Sequence, residues 1–379
     1  MKILHVIIGL GVGGAEGMLK RLVESHLNSP DYQHVIVVLT STGKLGLELQ
    51  TKGVTVYSLG MRFALGVPLA FYRLVSLIRK IQPDIVQTWM YHSDLLGGLA
   101  ARLAGNRHVI WGVRTTDVRA GGSFSTVIVR WLCARLSGWI PQAIVCAAEA
   151  SRQSHIAVGY DASKMLVVPN GFDFTWLKAS AEERQSLREQ CNFGDIDVVI
   201  GSLGRFHEVK HQGNFVHTAG LLATQHAHMR FLMVGRDLNW DNKQLVDWIV
   251  STGFKDRFVL LGERKDAPQC LAAMDIFCLH SRTEGFPNVL AEAMAMGLPC
   301  VSTDVGDAAM LLADTGVVVP KDNSPALAQG IQQLLEMDKD SRNKLGQRAK
   351  SRVEAEFSIT RARERFEEIY KKITTNEVT

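Results

Sequence analysis

Short β-branched runs alternate with helix-patterned stretches along all 379 residues of this chain, and the alternation starts twice. Apolar strand-like runs occupy residues 3–8, 34–40, 54–58, 84–89, 108–113, 143–148 and 165–169, with helical pattern between them. A polar, Glu/Arg/Gln-rich connector follows over 174–192. The pattern then restarts at 198–203, 229–234, 258–261, 275–280, 299–303 and 317–320. Strands separated by helices predict parallel sheets covered on both faces. Two such series exceed one ordinary core, so the expectation is α/β: two doubly wound, Rossmann-like domains with an inter-domain cleft. The boundaries fall at 1–175 for the first domain, 176–196 for a linker and 197–356 for the second domain. A charged amphipathic helix closes the chain over 357–379.

Composition narrows the class. Hydrophobic content of 46% and charged content of 21% are those of a globular protein. The six cysteines are scattered through apolar runs, which reads as buried reduced thiols and an intracellular setting rather than a disulfide framework or structural zinc. The apolar start is cut short by Gly11–Glu16, too soon for a signal peptide, and no run reaches membrane-spanning length. The expected location is therefore cytoplasmic. Charge is uneven. Residues 1–178 hold 18 Lys and Arg against 10 Asp and Glu, and the remainder holds 24 against 28. A basic first half invites an anionic partner. Its cations are interleaved with apolar helices rather than clustered with stacking aromatics, which argues against nucleic acid. The segments 62–80 and 124–140, rich in Arg and large apolar residues, suit an anionic membrane surface or a pair of core helices.

Three loops carry candidate chemistry. Glu284-Gly285-Phe286-Pro287-Asn288-Val289 follows an apolar strand-like run and opens a helix that ends at Gly297, with Glu292 eight residues after Glu284. A carboxylate at a strand's carboxyl end can accept hydrogen bonds from sugar hydroxyls. The amides of the following helix start suit phosphate. Gly204-Arg205-Phe206-His207-Glu208-Val209-Lys210 follows the first strand of the second series, and its two cations could grip a diphosphate. The glycine loop Gly9–Gly14 resembles a dinucleotide fingerprint but lacks its spacing and its acidic partner at the second strand's end.

Two motifs point elsewhere. His207-Glu208-Val209-Lys210-His211 spells H-E-x-x-H, with His217 beyond it, which would make a zinc peptidase if both His shared a helix face. Gly204 and the strand ending at Leu203 place His207 ahead of the helix instead. Asp195-Ile196-Asp197 resembles the metal-binding pair of another sugar-transferase class but reads as a solvated turn. No metal site is expected.

Taken together, the Gly11–Glu16 loop, Gly204-Arg205 with Lys210, Val234-Gly235, Glu284-Gly285-Phe286-Pro287 with Glu292, and Phe357-Ser358 make the chain resemble the family-4 retaining glycosyltransferases of the GT-B fold, the group that builds bacterial surface polysaccharides such as O-antigen. The resemblance covers nearly the whole chain. It implies that Arg205 and Lys210 hold the diphosphate of a nucleotide sugar, most simply a UDP-sugar. Glu284 would bind the sugar hydroxyls with help from amides of Gly285 to Val289, and Glu292 would bind the ribose. Arg264, in the loop after Gly262, would lie at the base, and donor contacts would extend to Gly13, Gly14 and Gly235. It also implies a saccharide or lipid-linked acceptor on the first domain, no metal and no cofactor. Many relatives carry a His where this chain has Arg114. Arg stays protonated, so a base's role cannot pass to it. Arg114, Asp117 and His92 remain as acceptor contacts. A UDP-sugar epimerase, a sensor and the zinc peptidase are the alternatives.

Overall fold

In the computed structural model, residues 1–11, 13–61, 66–116 and 124–375 are described. The chain forms two compact units. Met1–Asp173 with Phe357–Thr379 make unit 1, and Phe174–Glu356 make unit 2.

Unit 1 runs β1 (Lys2–Ile7), α1 (Gly14–Ser25), β2 (Gln33–Val38), α2 (Gly43–Thr51), β3 (Thr55–Ser58), α3 (Val67–Ile81), β4 (Ile85–Trp89), α4 (Tyr91–Leu103), β5 (Val109–Val113), α5 (Phe124–Leu136), β6 (Ala143–Cys146), α6 (Glu149–Ile156) and β7 (Met165–Val167). Its strands form one parallel sheet in the order β3-β2-β1-β4-β5-β6-β7. The period of two in a strand sends alternate residues of β1 to opposite faces. Leu4 and Val6 join one core with Val37, Val86 and Trp111. Ile3 and Ile7 join the other with Ile36, Ile85 and Trp89.

Unit 2 runs α7 (Ala181–Gln190), β8 (Val198–Leu203), α8 (Gln212–Ala223), β9 (Met229–Val234), α9 (Lys243–Ser251), β10 (Phe258–Leu260), α10 (Ala267–Ala272), β11 (Ile276–Leu279), α11 (Asn288–Ala295), β12 (Cys300–Thr303), α12 (Ala308–Leu312), β13 (Val317–Val319), α13 (Ser324–Glu336) and α14 (Lys339–Glu356). Its sheet is parallel in the order β10-β9-β8-β11-β12-β13. Helix α15 (Ile359–Thr374) belongs to unit 1, where Ala362, Phe366, Ile369, Tyr370 and Ile373 enter the second core. The Tyr370 hydroxyl donates to Gln87 Oε1 on β4 at 2.5 Å.

The segment expected as a linker is more ordered than its polar composition suggests. Ser180 and Glu183 form a capping box that starts α7. Arg184 and Arg188 both reach Asp275, at 2.7 and 3.1 Å. Asp275 also accepts the amide of Val199, at the start of β8. Two cations on one side of α7 therefore bind it to unit 2, and the polarity of this stretch is a docking face rather than a flexible tether.

Strand order places the ligand edge. Each sheet reverses direction of progress once, between β1 and β4 in unit 1 and between β8 and β11 in unit 2. Crevices outside the carboxyl ends of strands at such a reversal are where open α/β sheets bind ligands.

Candidate functional site

The loops after β8 and β11 lie on neighbouring strands at the reversal point of unit 2. Backbone contacts lock both. Gly204 donates to Val234 O at 2.9 Å, and Gly235 donates to Gly262 O at 2.8 Å. Gly204 and Gly235 have φ of 157° and 146°. A Cβ on Gly235 would sit 2.0 Å from Gly204 O, so only glycine lets these turns touch. On the other side Asp307 donates to Gly285 O at 2.9 Å. A Cβ on Gly306 would lie 2.2 Å from that oxygen, at a φ of 56°. Gly306 thus presses its backbone against the Glu284 turn.

This frame brings Lys210 and Glu284 together across 74 residues of chain. Lys210 Nζ donates to Glu284 Oε1 at 2.6 Å, with the two side chains 23% and 12% exposed. The Ser281 hydroxyl donates to the same oxygen at 2.6 Å. His280 donates through Nδ1 to the Lys210 carbonyl at 2.6 Å. Burial drives the His280 pKa down to about 4, so the ring is a neutral fixture. Thr303 donates to Ser281 O at 2.8 Å. Gln212 donates to Arg205 O at 2.8 Å, fixing the backbone of the cationic loop. The Arg205 side chain is exposed and has no ion pair among the described residues. Phe286 and Pro287 are buried ahead of α11, whose first turn opens at Asn288 and Val289. Glu292 lies one turn further along and is partly buried.

Ser281, His280, Thr303, Gln212 and Gly306 were not singled out from sequence. His280, Ser281 and Thr303 are polar residues at the ends of strands otherwise made mostly of Ile, Phe, Cys, Leu and Val, whereas Gln212 opens α8 and Gly306 lies in the loop after β12. Arg264, in the loop after Gly262, forms a two-pronged pair with Asp266 through its guanidinium. That pair raises the Arg264 pKa.

The H-E-x-x-H reading fails on geometry. His207 precedes a single 3-10 turn over Glu208–Lys210, and His211 sits at φ 55° before α8. The two imidazoles share no helix, and His211 faces Asp322 at 3.0 Å.

In unit 1 the glycine loop leads into α1, with Gly13 at its N-cap and Gly14 its first residue. Arg114 is partly buried, and its Nε and Nη2 atoms are buried with no hydrogen-bond partner among the described residues. Its guanidinium rests 4.8 Å from the Trp89 ring centre and 5.7 Å from that of Phe366. It donates to Val168 O and Asn170 Oδ1 at 3.4 and 3.3 Å. Burial lowers its pKa to about 10. Through Phe366 it links the end of β5 to α15. His92 is half-buried at the start of α4, with its pKa lowered by desolvation. Beside it Tyr91 bonds Thr115 Oγ1 at 2.6 Å and His155 Nε2 at 2.7 Å. Asp117 lies outside the described residues.

Residues 12–176 match the family described as Glycosyltransferase Family 4, and residues 197–337 match Glycosyl transferases group 1. The chain belongs to the family-4 glycosyltransferases. Its two parallel-sheet units are those of the GT-B fold. A relative from Escherichia coli is UDP-Gal:alpha-D-GlcNAc-diphosphoundecaprenol alpha-1,3-galactosyltransferase. It is 29% identical over 237 residues, covering 61% of this chain and 60% of its own length. N-acetyl-alpha-D-glucosaminyl L-malate synthase of Bacillus anthracis is 26% identical over 48% of each chain. The chain therefore spans about half to three-fifths of these two relatives. The capsular polysaccharide biosynthesis glycosyltransferase CapM of Staphylococcus aureus is 23% identical over 79% of each. Among solved structures, Anabaena Alr3699/HepE in complex with UDP superposes with a TM-score of 0.85 at 22% identity, over 98% of this chain and 100% of that one.

Proposed function

We propose that the chain transfers a hexosyl or N-acetylhexosaminyl group from a UDP-sugar to a saccharide acceptor, lipid-linked, in the assembly of a bacterial surface polysaccharide such as O-antigen. The observation that carries this reading is the Lys210–Glu284 pair, held at the reversal point of unit 2 with Arg205 exposed beside it. The pair is one cation and one hydroxyl-binding carboxylate, as a phosphate joined to a sugar requires. The relatives support it too, since a UDP-galactose-dependent enzyme and a capsule enzyme are among them.

Each residue then has a task. Arg205 offers a planar fork to the diphosphate, and Lys210 adds a point charge as the leaving oxygen becomes negative. Glu284 holds donor-sugar hydroxyls through the oxygen that Lys210 and Ser281 leave open, and Glu292 takes the ribose. Arg114 stays protonated and cannot serve as base, so the leaving phosphate itself takes the acceptor proton. That places acceptor and leaving group on one face of the sugar and gives retention of anomeric configuration. The cations take the part a divalent metal plays elsewhere. Release of UDP from UDP-galactose, UDP-glucose and UDP-N-acetylglucosamine should therefore require added acceptor and survive chelator. UDP release without acceptor would favour an epimerase or hydrolase, and loss on chelation would overturn the metal-independent scheme.

A lipid-linked acceptor requires access to a bilayer. No described helix is long and apolar enough to cross one. On α5, Phe124, Ile128 and Trp131 recur at helical spacing and are 81%, 44% and 53% exposed. Arg135 stands over Trp131 at 5.3 Å. Such an apolar stripe with a cation beside it suits a peripheral contact with anionic lipid. The protein should sediment with vesicles containing phosphatidylglycerol at low salt, less so as salt rises, and Trp131→Ala should weaken this several-fold. No sedimentation at low salt would remove the membrane from the proposal.

A further inference from the structure

Behind the phosphate loop of unit 2 lies a groove of about 990 Å³, between α8 and α9. That is the upper end of the size of small-molecule sites. Its floor follows from sequence. Gly213, His217, Gly220 and Thr224 recur at intervals that place them on one face running off the end of α8. The two glycines leave a trough where side chains would fill it. Trp248 of α9 forms the opposite wall, 3.7 Å from where a Cβ on Gly213 would be, and its ring centre lies 5.8 Å from that of Phe206.

The chemistry of the lining selects a ligand class. His217 and Gln244 are exposed on either wall, and the His217 ring has no hydrogen-bond partner among the described residues. The cation at the mouth is already neutralised. Arg282 pairs with Asp322 at 2.7 Å, approaches Glu208 at 3.7 Å and bonds His211 Nε2 at 3.1 Å. An anion would have to break that set. A neutral saccharide would not: the apolar face of a pyranose can lie on the indole, while its hydroxyls reach imidazole and amide groups that both donate and accept.

We propose that this groove is a second saccharide-binding site, distinct from the donor pocket, which holds a neutral oligosaccharide such as a segment of acceptor or product chain. The proposal rests on the reading of the chain as a saccharide-building transferase. The groove shares its walls with the donor loops. Gln212 lines it and holds the Arg205 carbonyl, while the Arg282 amide donates to Val209 O at 2.8 Å. An occupant therefore touches the far side of the loop that carries Arg205 and Lys210, and can anchor a growing chain while the donor turns over.

The test titrates galactobiose, N,N′-diacetylchitobiose and maltotriose into the full-length protein, with and without saturating UDP, by calorimetry. At least one should bind with UDP present. Trp248→Ala should weaken it about tenfold and Trp248→Phe less. Because Trp248 also packs against the core, His217→Ala and Gln244→Ala at exposed positions provide the second arm, each expected to weaken binding several-fold with UDP affinity unchanged. Binding of none of the three sugars, binding abolished by UDP or by Lys210→Ala, or binding untouched by all the groove variants would overturn the site. Failure of the donor reading leaves a different record, an absence of any UDP response.

Discussion

Lys210→Ala is expected to lower turnover with a UDP-sugar by about 10²- to 10³-fold, near 3–4 kcal/mol of lost transition-state stabilisation. The cause is where negative charge develops. The ammonium is held by Glu284 Oε1 at 2.6 Å. A donor diphosphate arrives as a second anion and must share it. The share grows as the bond to the sugar breaks, so the residue counts more in the transition state than in donor binding. kcat should fall strongly and donor KM rise less. Arg205→Ala should act in the same direction, and the double variant should lose less than the product of the two, because both cations serve one phosphate pair. Arg205→Lys should restore little, since a point charge replaces a planar fork. The experiment is steady-state UDP release by all four variants. Full activity in either alanine variant, or a loss confined to acceptor KM, would show that this loop is not the phosphate clamp.

How far the sequence reaches is clearest at this loop. The strand ending at Leu203 and the glycine after it place Arg205 and Lys210 at a carboxyl edge, and the run ending at Leu279 does the same for Glu284. Periodicity supplied each loop separately. What brings them together is strand order, with β8 beside β11, and no local pattern encodes adjacency between strands so distant in sequence. Arg114 shows the opposite limit. Nothing local to Arg114 marks Trp89 and Phe366 as the rings packed against it, and Phe366 comes from a helix at the other end of the chain. The connector misled for a related reason. It reads as a polar linker because Asp275, the carboxylate that binds its arginines, lies far along the chain on the rim of unit 2. Gly306 went unremarked because its value lies in the backbone it touches, not in any side chain.

Unit 1 should lose about 3 kcal/mol of stability between pH 7 and pH 5, through histidines no sequence pattern marks. Trp89 Nε1 donates to His5 Nδ1 at 3.2 Å, which leaves His5 Nε2 as the donor to His34 Nδ1 at 2.8 Å. A proton added to either ring breaks that relay. The surroundings also refuse one. His26 lies 4.8 Å from His34 by ring centres and is itself tied to Leu22 O and Glu367, with Arg363 and Tyr32 nearby. Burial pushes His5 well below the usual imidazole range and His34 down to about 3, while His155 falls to about 4. The folded unit leaves these three unprotonated at pH 5, whereas the unfolded chain protonates them below about 6.5, so the unfolded state binds more protons and stability falls with pH. Each contributes about 2 kcal/mol of loss by pH 5. Asp94 opposes them: burial raises its pKa to about 7, so the folded state takes up a proton first and recovers about 2 kcal/mol over the same interval. The remaining loss is a large share of the 5–15 kcal/mol that holds a typical domain together. Hydrogen exchange of β1 and β2 peptides in denaturant, read at pH 7 and pH 5 after correction for intrinsic rates, measures it. His34→Gln keeps an acceptor for His5 and cannot titrate, so it should remove about a third of the histidine contribution. Protection of β1 that is indifferent to pH, or a slope unchanged in His34→Gln, would show that the relay accepts protons when folded.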